Sequence, residues 1–444
     1  MHTKQLHLIT VYLLLVCLVA GYLILATEFP LAYIYFTYED LYGEWGQTYL
    51  FLFAGLFSAW LAINALSYRG FFLLLGIACL YTVLEEISWG QRLFGFESPY
   101  VFDQYNLQQE TNIHNFFTGP FHSTIKNLIE ILMVLAFVAY GVIYPVLVKR
   151  RWSFALWFED RGIAAPPGYL WPFFLLAAPL ELGLLHYNEA EVAELLIGSA
   201  ILIFTMHYWF AARHQPKTYP HMHWDNATSR SFSRYLLLAF ATVSLGSLVT
   251  SQWLLSQPES RARIEDRVLN GTEKFALRFA NRGKWDEAAE FYRRVYDADP
   301  SRASVLRRLV DSYQMQGETD DYRHYYRILL EQSLPPDAVT SRNVSVNLSL
   351  AHSYRKGGDV EKSSYYLQRA YELAGKAFAL SPDSHEAVYA LARVLERMGR
   401  MEEAHSRYGR CVELAPGSGA CRAGVRRVQR FMETAGTSPA VPSR

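Results

Sequence analysis

Long apolar runs separated by short polar stretches fill the first 255 residues, after which short amphipathic periods last to the C-terminus. A helix needs roughly 17–25 mostly apolar residues to cross a bilayer. That length predicts spans at 6–26, 49–66, 71–87, 125–148, 170–185, 192–212 and 235–255. The fifth is short and carries Pro172 and Pro179, so a kinked or broken helix is expected there. The first run is too long for the core of a signal peptide and no clean small-x-small site follows it, so it reads as a retained anchor. Between the first two spans, Tyr33, Tyr35, Phe36, Tyr38, Tyr42 and Trp45 crowd a segment without Lys or Arg, as in an interfacial helix. The predicted class is all-α: a polytopic transmembrane helix bundle over 1–256, then an α-solenoid over 257–433 and a flexible tail over 434–444.

Composition alone conceals this division. Lys plus Arg equals Asp plus Glu at 42 each, so no global basic field points to nucleic acid. The placement of the basic residues says more. One set of loops in the first half carries ten of them, among them Lys149, Arg150, Arg151, Arg213, Arg230 and Arg234; the opposite set carries Arg92, with Lys126 at a boundary. By the positive-inside rule the N-terminus is cytoplasmic, and after seven spans the remainder lies outside. The expected location is a bacterial inner membrane with a periplasmic C-terminal domain. Cys17 and Cys79 sit in apolar runs. Cys411 and Cys421 are ten residues apart, which permits a disulfide across a turn in an oxidising compartment without requiring it.

Candidate chemistry lies at the end of the third span, where Glu85 and Glu86 lead into Ser88-Trp89-Gly90-Gln91-Arg92. Ionisable residues at the edge of a membrane segment mark polar sites or pathways. With the topology above, Glu85, Glu86, Glu130, Glu181 and Glu194 all fall on the outer side. Polar loop 88–124 falls there too. If the helix continued, Glu85, Ser88/Trp89 and Arg92 would share one stripe, with Glu86 about 100° away. Period-two spacing places Asn106, Gln108, Glu110, Asn112 and His114 on one face of an extended segment. The acid–base candidates are therefore Glu85, Glu86, Arg92, Glu110 and His114. Trp89, Gln91, Asn106, Gln108 and Asn112 are the candidates for holding a substrate. Carboxylates with imidazole also suit a divalent metal, with Glu86, Glu110, His114, Glu181 and His186 as candidate ligands. The same residues equally suit a structural role, the acids pairing with Arg92 and Lys126 and the amides bracing the loop. His207 lies thirteen residues below Glu194, about 20 Å along a helix, and is not expected to join them. His214, His221 and His223 read as members of a solvated cytoplasmic loop.

Phe121-His122-Ser123-Thr124 resembles a stretch of the alkaline ceramidases and related membrane hydrolases, seven-span proteins whose zinc is held by histidines. Their paired C-terminal histidines have no counterpart on the outer side here, and no catalytic residue is carried over. Glu-Glu-x-Ser-Trp-Gly-Gln-Arg resembles a segment of uncharacterised bacterial membrane proteins.

In the second half, Gly283, Gly317, Gly358 and Gly399 recur at intervals of 34, 41 and 41. The first unit reads Ala276, Phe279, Gly283, Ala288, Tyr292, Val295, Pro300, and the fourth Ala392, Leu395, Gly399, Ala404, Tyr408, Cys411, Pro416. The frame resembles the tetratricopeptide repeat over about 269–417, with a capping helix over 420–433. The spacing of 41 implies longer helices or loops between units. Such repeats imply a peptide- or protein-binding scaffold. The leading expectation is therefore an envelope scaffold or assembly component. The alternative is a membrane-embedded enzyme acting on a lipid or lipid-linked substrate, with a divalent metal as its candidate cofactor.

Overall fold

The computed structural model describes residues 5–38, 41–94, 96–106, 111–113, 123–185, 187–217, 219–220, 222–317, 319–332 and 339–436, with the backbone alone at Arg92, 103–105, 123–126 and 435–436. Among the described residues there is no strand. The chain divides into two compact units, Met1–Phe275 and Ala276–Arg444.

The first unit opens with α1 (Leu6–Glu28), α2 (Pro30–Thr37), α3 (Tyr42–Asn64) and α4 (Arg69–Glu86). Short α5 (Gln91–Phe94) and α6 (Tyr100–Tyr105) follow. Next, α7 (Ser123–Val138) and α8 (Tyr144–Lys149) are joined by a wider helical turn at Ala139–Ile143. Then come α9 (Ser153–Asp160), α10 (Trp171–Glu181), α11 (Ala190–His214) and α12 (Asn226–Ser256). The last helix of this unit, α13 (Pro258–Asn281), contributes its residues as far as Phe275, whose ring packs on Tyr33 and Tyr187.

Among the described residues, five stretches are long and apolar enough to cross a membrane: Leu6–Glu28, Pro30–Asn64, Asn127–Lys149, Ala190–His214 and Asn226–Ser256. The third and fifth expected spans appear as α4, with 18 residues and three charges, and as α10, with 11 residues and Pro179 inside it. α10 is preceded by a short 3-10 turn and followed by a turn at Leu182, so the interruption expected from the prolines takes the form of a short helix.

α11 is the hub of this unit. Most of its residues are buried, and it packs against α3 and α10. Small residues permit the approach: a Cβ on Gly198 would lie 3.2 Å from Leu50 on α3. At the widened turn, a Cβ on Gly141 would lie 2.0 Å from the Phe174 ring, so glycine alone lets α10 settle there. α1 rests on α12, where Thr10 Oγ1 donates to Ser233 Oγ at 3.1 Å. Pairing of this kind satisfies the two hydroxyls where these helices meet.

The second unit continues from the end of α13 through α14 (Trp285–Ala298), α15 (Ala303–Gln316), α16 (Asp320–Gln332), α17 (Ser341–Lys356), α18 (Val360–Leu380), α19 (His385–Arg397), α20 (Met401–Leu414) and α21 (Gly419–Gly436). Successive helices pack in chain order, as in a solenoid. Gly283, Gly317, Gly358 and Gly399 stand between paired helices at φ of 73°, 117°, 81° and 81°. A residue with a Cβ rarely adopts that backbone region, which explains the recurrence of glycine. The longer intervals have two sources. One is the longer connection between α16 and α17, where 333–338 lie outside the described residues; the other is α18, 21 residues long against 14 in α14. α21 caps the array and runs to Gly436, three residues past the expected end, while the remainder of the expected tail lies outside the described residues.

Candidate functional site

The polar residues after α4 form a brace. The helix stops at Glu86, and Ser88, Trp89 and Gly90 follow at φ of 47°, 53° and 92°, so the single stripe expected through Arg92 is interrupted by a left-handed turn. The turn still returns Trp89 to Glu85: its Nε1–H donates to Glu85 Oε1 at 2.8 Å. Glu85 Oε2 accepts the backbone N–H of Ile113 at 2.7 Å, and the side chain is only 4% exposed. Gln91 Oε1 accepts the backbone N–H of Thr111 at 2.7 Å, and its Nε2 donates to Ser98 Oγ at 2.9 Å. Asn106 Nδ2 donates to both the backbone oxygen and Oδ1 of Asn112 at 2.9 Å, and Asn112 Nδ2 reaches Ser88 Oγ at 3.4 Å. Ser88, Asn106 and Asn112 are buried. Four of the sequence candidates, Glu85, Gln91, Asn106 and Asn112, thus hold the returning segment against the helix end. Gln108, Glu110 and His114 lie outside the described residues, as does the Arg92 side chain.

Glu86 turns the other way, as the 100° offset requires. The Nε2 group of Gln47, on α3, donates to Glu86 Oε1 at 3.0 Å and also to Glu194 Oε2 on α11. Two carboxylates from two helices therefore meet one amide from a third. Gln47 is 1% exposed, and its Oε1 is buried with no hydrogen-bond partner among the described residues. Glu181 and Glu44, both buried, are electrostatic neighbours of Glu194. Glu181 was expected on this side. Gln47 and Glu44 were missed because the second span was drawn from residue 49, leaving α3's first turns in the aromatic segment. The signal available was the spacing of Glu44, Gln47 and Thr48, polar residues on one buried stripe of an otherwise apolar helix.

His186 lies outside the described residues. Its neighbour Glu189 accepts the backbone N–H groups of Leu185 and Tyr187 and thereby fastens the turn before α11. Among the described residues no group of three or more His, Cys, Asp or Glu side chains is arranged to hold a metal. His207 stands apart from the acids, with Nδ1 3.0 Å from the Tyr169 hydroxyl and its ring near Trp224. His7 stacks on Trp224 with ring centroids 3.5 Å apart. His214 stacks on Phe210, while the backbone N–H of His223 donates to Gln215 Oε1; His221 lies outside the described residues.

The second unit presents a different surface. A cavity of about 250 Å³ is lined by α16, α17 and α19, with Tyr322 and Tyr326 on one side and Arg393 and Arg397 on the other. The sequence marks Tyr322 and Tyr326 as positions of the second repeat but points to no site there, since the lining comes from three separate helices. Cys411 and Cys421 are joined by a disulfide, Cα–Cα 5.8 Å, between α20 and α21.

Residues 367–424 match the tetratricopeptide repeat family, so the C-terminal region contains a tetratricopeptide repeat. Solved structures titled MamA AMB-1 and MamA MSR-1 are 19% and 20% identical to this chain. The similarity covers 38% of this chain in each case and 84% and 88% of theirs, with TM-scores of 0.25 and 0.23, too low to bear on the fold. No curated protein matches the chain.

Proposed function

We propose that this chain is a membrane-anchored interaction scaffold of the bacterial cell envelope, holding a protein partner through its repeat region. The observation that carries the reading is the presence in one chain of a tetratricopeptide repeat and five stretches suited to crossing a membrane. The outer faces of those helices favour lipid as their surroundings. Leu13, Val16 and Leu23 on α1, and Leu238, Leu245 and Val249 on α12, are all more than half exposed. Exposure of so many large apolar side chains is unfavourable in water. With α4 and α10 crossing as well as those five stretches, seven crossings and the bias of basic residues give a cytoplasmic N-terminus and leave the repeat region in the periplasm. A disulfide between Cys411 and Cys421 fits an oxidising compartment.

Alkaline phosphatase fused after Leu255 should be active, and fused after Arg151 inactive; the reverse pattern would end the periplasmic reading. A photoreactive residue in place of Tyr326 should give one discrete crosslinked protein in intact cells. A smear, or no adduct at this position and at Ser349, would end the scaffold reading.

The carboxylates bridged by Gln47 favour a second reading, a membrane-embedded acid–base or metal-dependent centre acting on a lipid or lipid-linked substrate. In that case Glu86→Gln, Glu110→Gln and His114→Ala abolish function in inserted, folded protein. Wild-type behaviour of all three variants would remove this reading.

A further inference from the structure

An apolar pocket of about 370 Å³ lies at the end of the Asn127–Lys149 stretch, between α8 and α9. We propose that it takes an acyl chain of an anionic phospholipid, whose phosphate is held by Arg150 and Arg151. The proposal rests on the membrane reading of the first unit, under which this end of the stretch meets the inner leaflet, and it adds a specific lipid to that reading.

The chain builds the pocket by turning back on itself. α8 ends at Lys149, and Arg151, at φ of 57°, reverses the direction. The backbone N–H groups of Arg151 and Trp152 donate to the oxygens of Val148 and Leu147, which closes the helix end and lets α9 pack beside α8. Tyr140, Ile143, Tyr144 and Leu147 form one wall of the pocket, and Phe154 and Phe158 belong to the other. Tyr140 and Tyr144 stack with centroids 5.9 Å apart, and Phe154 and Phe158 meet edge to face at 5.1 Å. Both tyrosine hydroxyls are engaged. That of Tyr140 donates to the Ala164 oxygen at 2.7 Å, and that of Tyr144 to the Ile163 oxygen at 2.8 Å. These two bonds tie the segment after α9 to the same wall. Beyond the two engaged hydroxyls, the lining side chains are hydrocarbon. A hydrocarbon chain suits such a lining, whereas a polar group placed there would lose its hydrogen bonds to water.

The residues beside the pocket supply charge. Lys149, Arg150 and Arg151 stand two to four residues beyond Leu147 and are exposed. None of the three makes an ion pair or side-chain hydrogen bond among the described residues. Arg161, just past α9, rests its guanidinium 3.6 Å from the Trp157 ring centroid. The acids of α9 are Glu159 and Asp160, and Glu159 is engaged by the Tyr68 hydroxyl. Four cations thus stand against two acids at this corner, one of those acids already taken. Trp152 and Trp157 are exposed beside them, and indole rings next to basic side chains favour the headgroup level of a bilayer. Guanidinium groups hold phosphate oxygens through paired N–H bonds, and basic pockets at helix ends on the cytoplasmic side recruit anionic head groups. An apolar volume with a cationic rim selects a molecule with a chain at one end and an anion at the other. A zwitterionic lipid would bring its own cation against Arg150 and Arg151, and a free phosphate would leave the apolar walls uncovered.

The test uses the full-length protein in neutral detergent micelles, with native mass spectrometry to count retained lipid. The probes are dioleoyl phosphatidylglycerol, dioleoyl phosphatidylcholine and glycerol 3-phosphate, which carries the anion without chains. Phosphatidylglycerol should be retained at least tenfold more tightly than phosphatidylcholine. Ile143→Trp fills the pocket from an exposed position and should weaken retention about tenfold, as should Arg150→Gln and Arg151→Gln combined. Phe154→Ala removes part of a wall at a second exposed position and should weaken it as well. Arg213→Gln, a basic position at the end of α11, should leave it unchanged. Equal retention of the two lipids would overturn the proposal, and so would displacement of phosphatidylglycerol by glycerol 3-phosphate at equal concentration. Wild-type retention by both pocket variants would overturn it too. An equal loss in Arg213→Gln would overturn it in favour of a diffuse basic surface. Any of these results in protein that resists carbonate extraction from membranes would leave the membrane reading intact; protein released by carbonate would overturn both.

Discussion

Replacing Glu85 with glutamine should release the segment at 111–113 from the end of α4. The carboxylate accepts two donors at once, the Trp89 indole at 2.8 Å and the Ile113 backbone N–H at 2.7 Å. Glutamine keeps the volume but offers one oxygen. In either amide orientation an NH₂ group faces one of the two donors, and with the side chain only 4% exposed, water is poorly placed to take over. A hydrogen bond to a charged group contributes about 1.5–3 kcal/mol, and a buried donor left unmet costs about 1–3 kcal/mol. The net local loss is therefore on the order of 2 kcal/mol, or roughly 30-fold in the opening equilibrium. Hydrogen exchange of the full-length protein in detergent, followed by mass spectrometry of peptides covering 111–113, should register that acceleration. Trp89→Phe removes one donor and leaves the carboxylate on Ile113, so it should accelerate exchange far less. Exchange within twofold of wild type in Glu85→Gln would refute the bracing role. If that variant also lost function, Glu85 would act through its chemistry and not through the loop.

A Cβ on Gly424 would lie 2.4 Å from the Tyr408 ring, whose hydroxyl is tied to Glu396 at 2.7 Å, so Gly424→Ala should destabilise the capping helix by about 1–3 kcal/mol in urea unfolding; an unchanged midpoint would refute the close packing. The disulfide closes a short loop, and its removal in Cys411→Ser should lower stability by about 3 kcal/mol; two free thiols in non-reduced protein from the periplasm would refute the bond itself. Glu396 is held below the usual carboxylate range: burial pushes its pKa up, but hydrogen bonds from Arg427 and Tyr408 outweigh it. A folded pKa below the unfolded value means stability that is present above about pH 4.3 and lost as pH falls through the folded value. Urea midpoints should therefore fall on acidification towards pH 3, less steeply in Glu396→Gln; identical slopes would refute the linkage.

How much of this was legible in the chain depends on how local each feature is. The glycines at 283, 317, 358 and 399 announced the repeat because each answers a purely local demand, a backbone with positive φ between two helices. The apolar runs announced long helices for the same reason: helical period and length are written in consecutive residues. The opposed directions of Glu85 and Glu86 also followed from the 100° step of one helix. The partners of those acids did not. Gln47 meets Glu86 across 39 positions and Glu194 across 147, and no spacing rule links residues on different helices. The amides at 91, 106 and 112 looked like substrate ligands because a sequence lists donors and acceptors without saying which are already engaged. Only the folded backbone brings Thr111 and Ile113 within reach of Gln91 and Glu85. The same holds in the repeat region, where Arg393 and Ser345 stand 48 residues apart and join only when α17 and α19 pack. Helices and repeats were thus determined by the sequence through local backbone preference. The bridged acids, the braced loop and the apolar pocket beside α9 were decided by packing, which selects the groups that face one another.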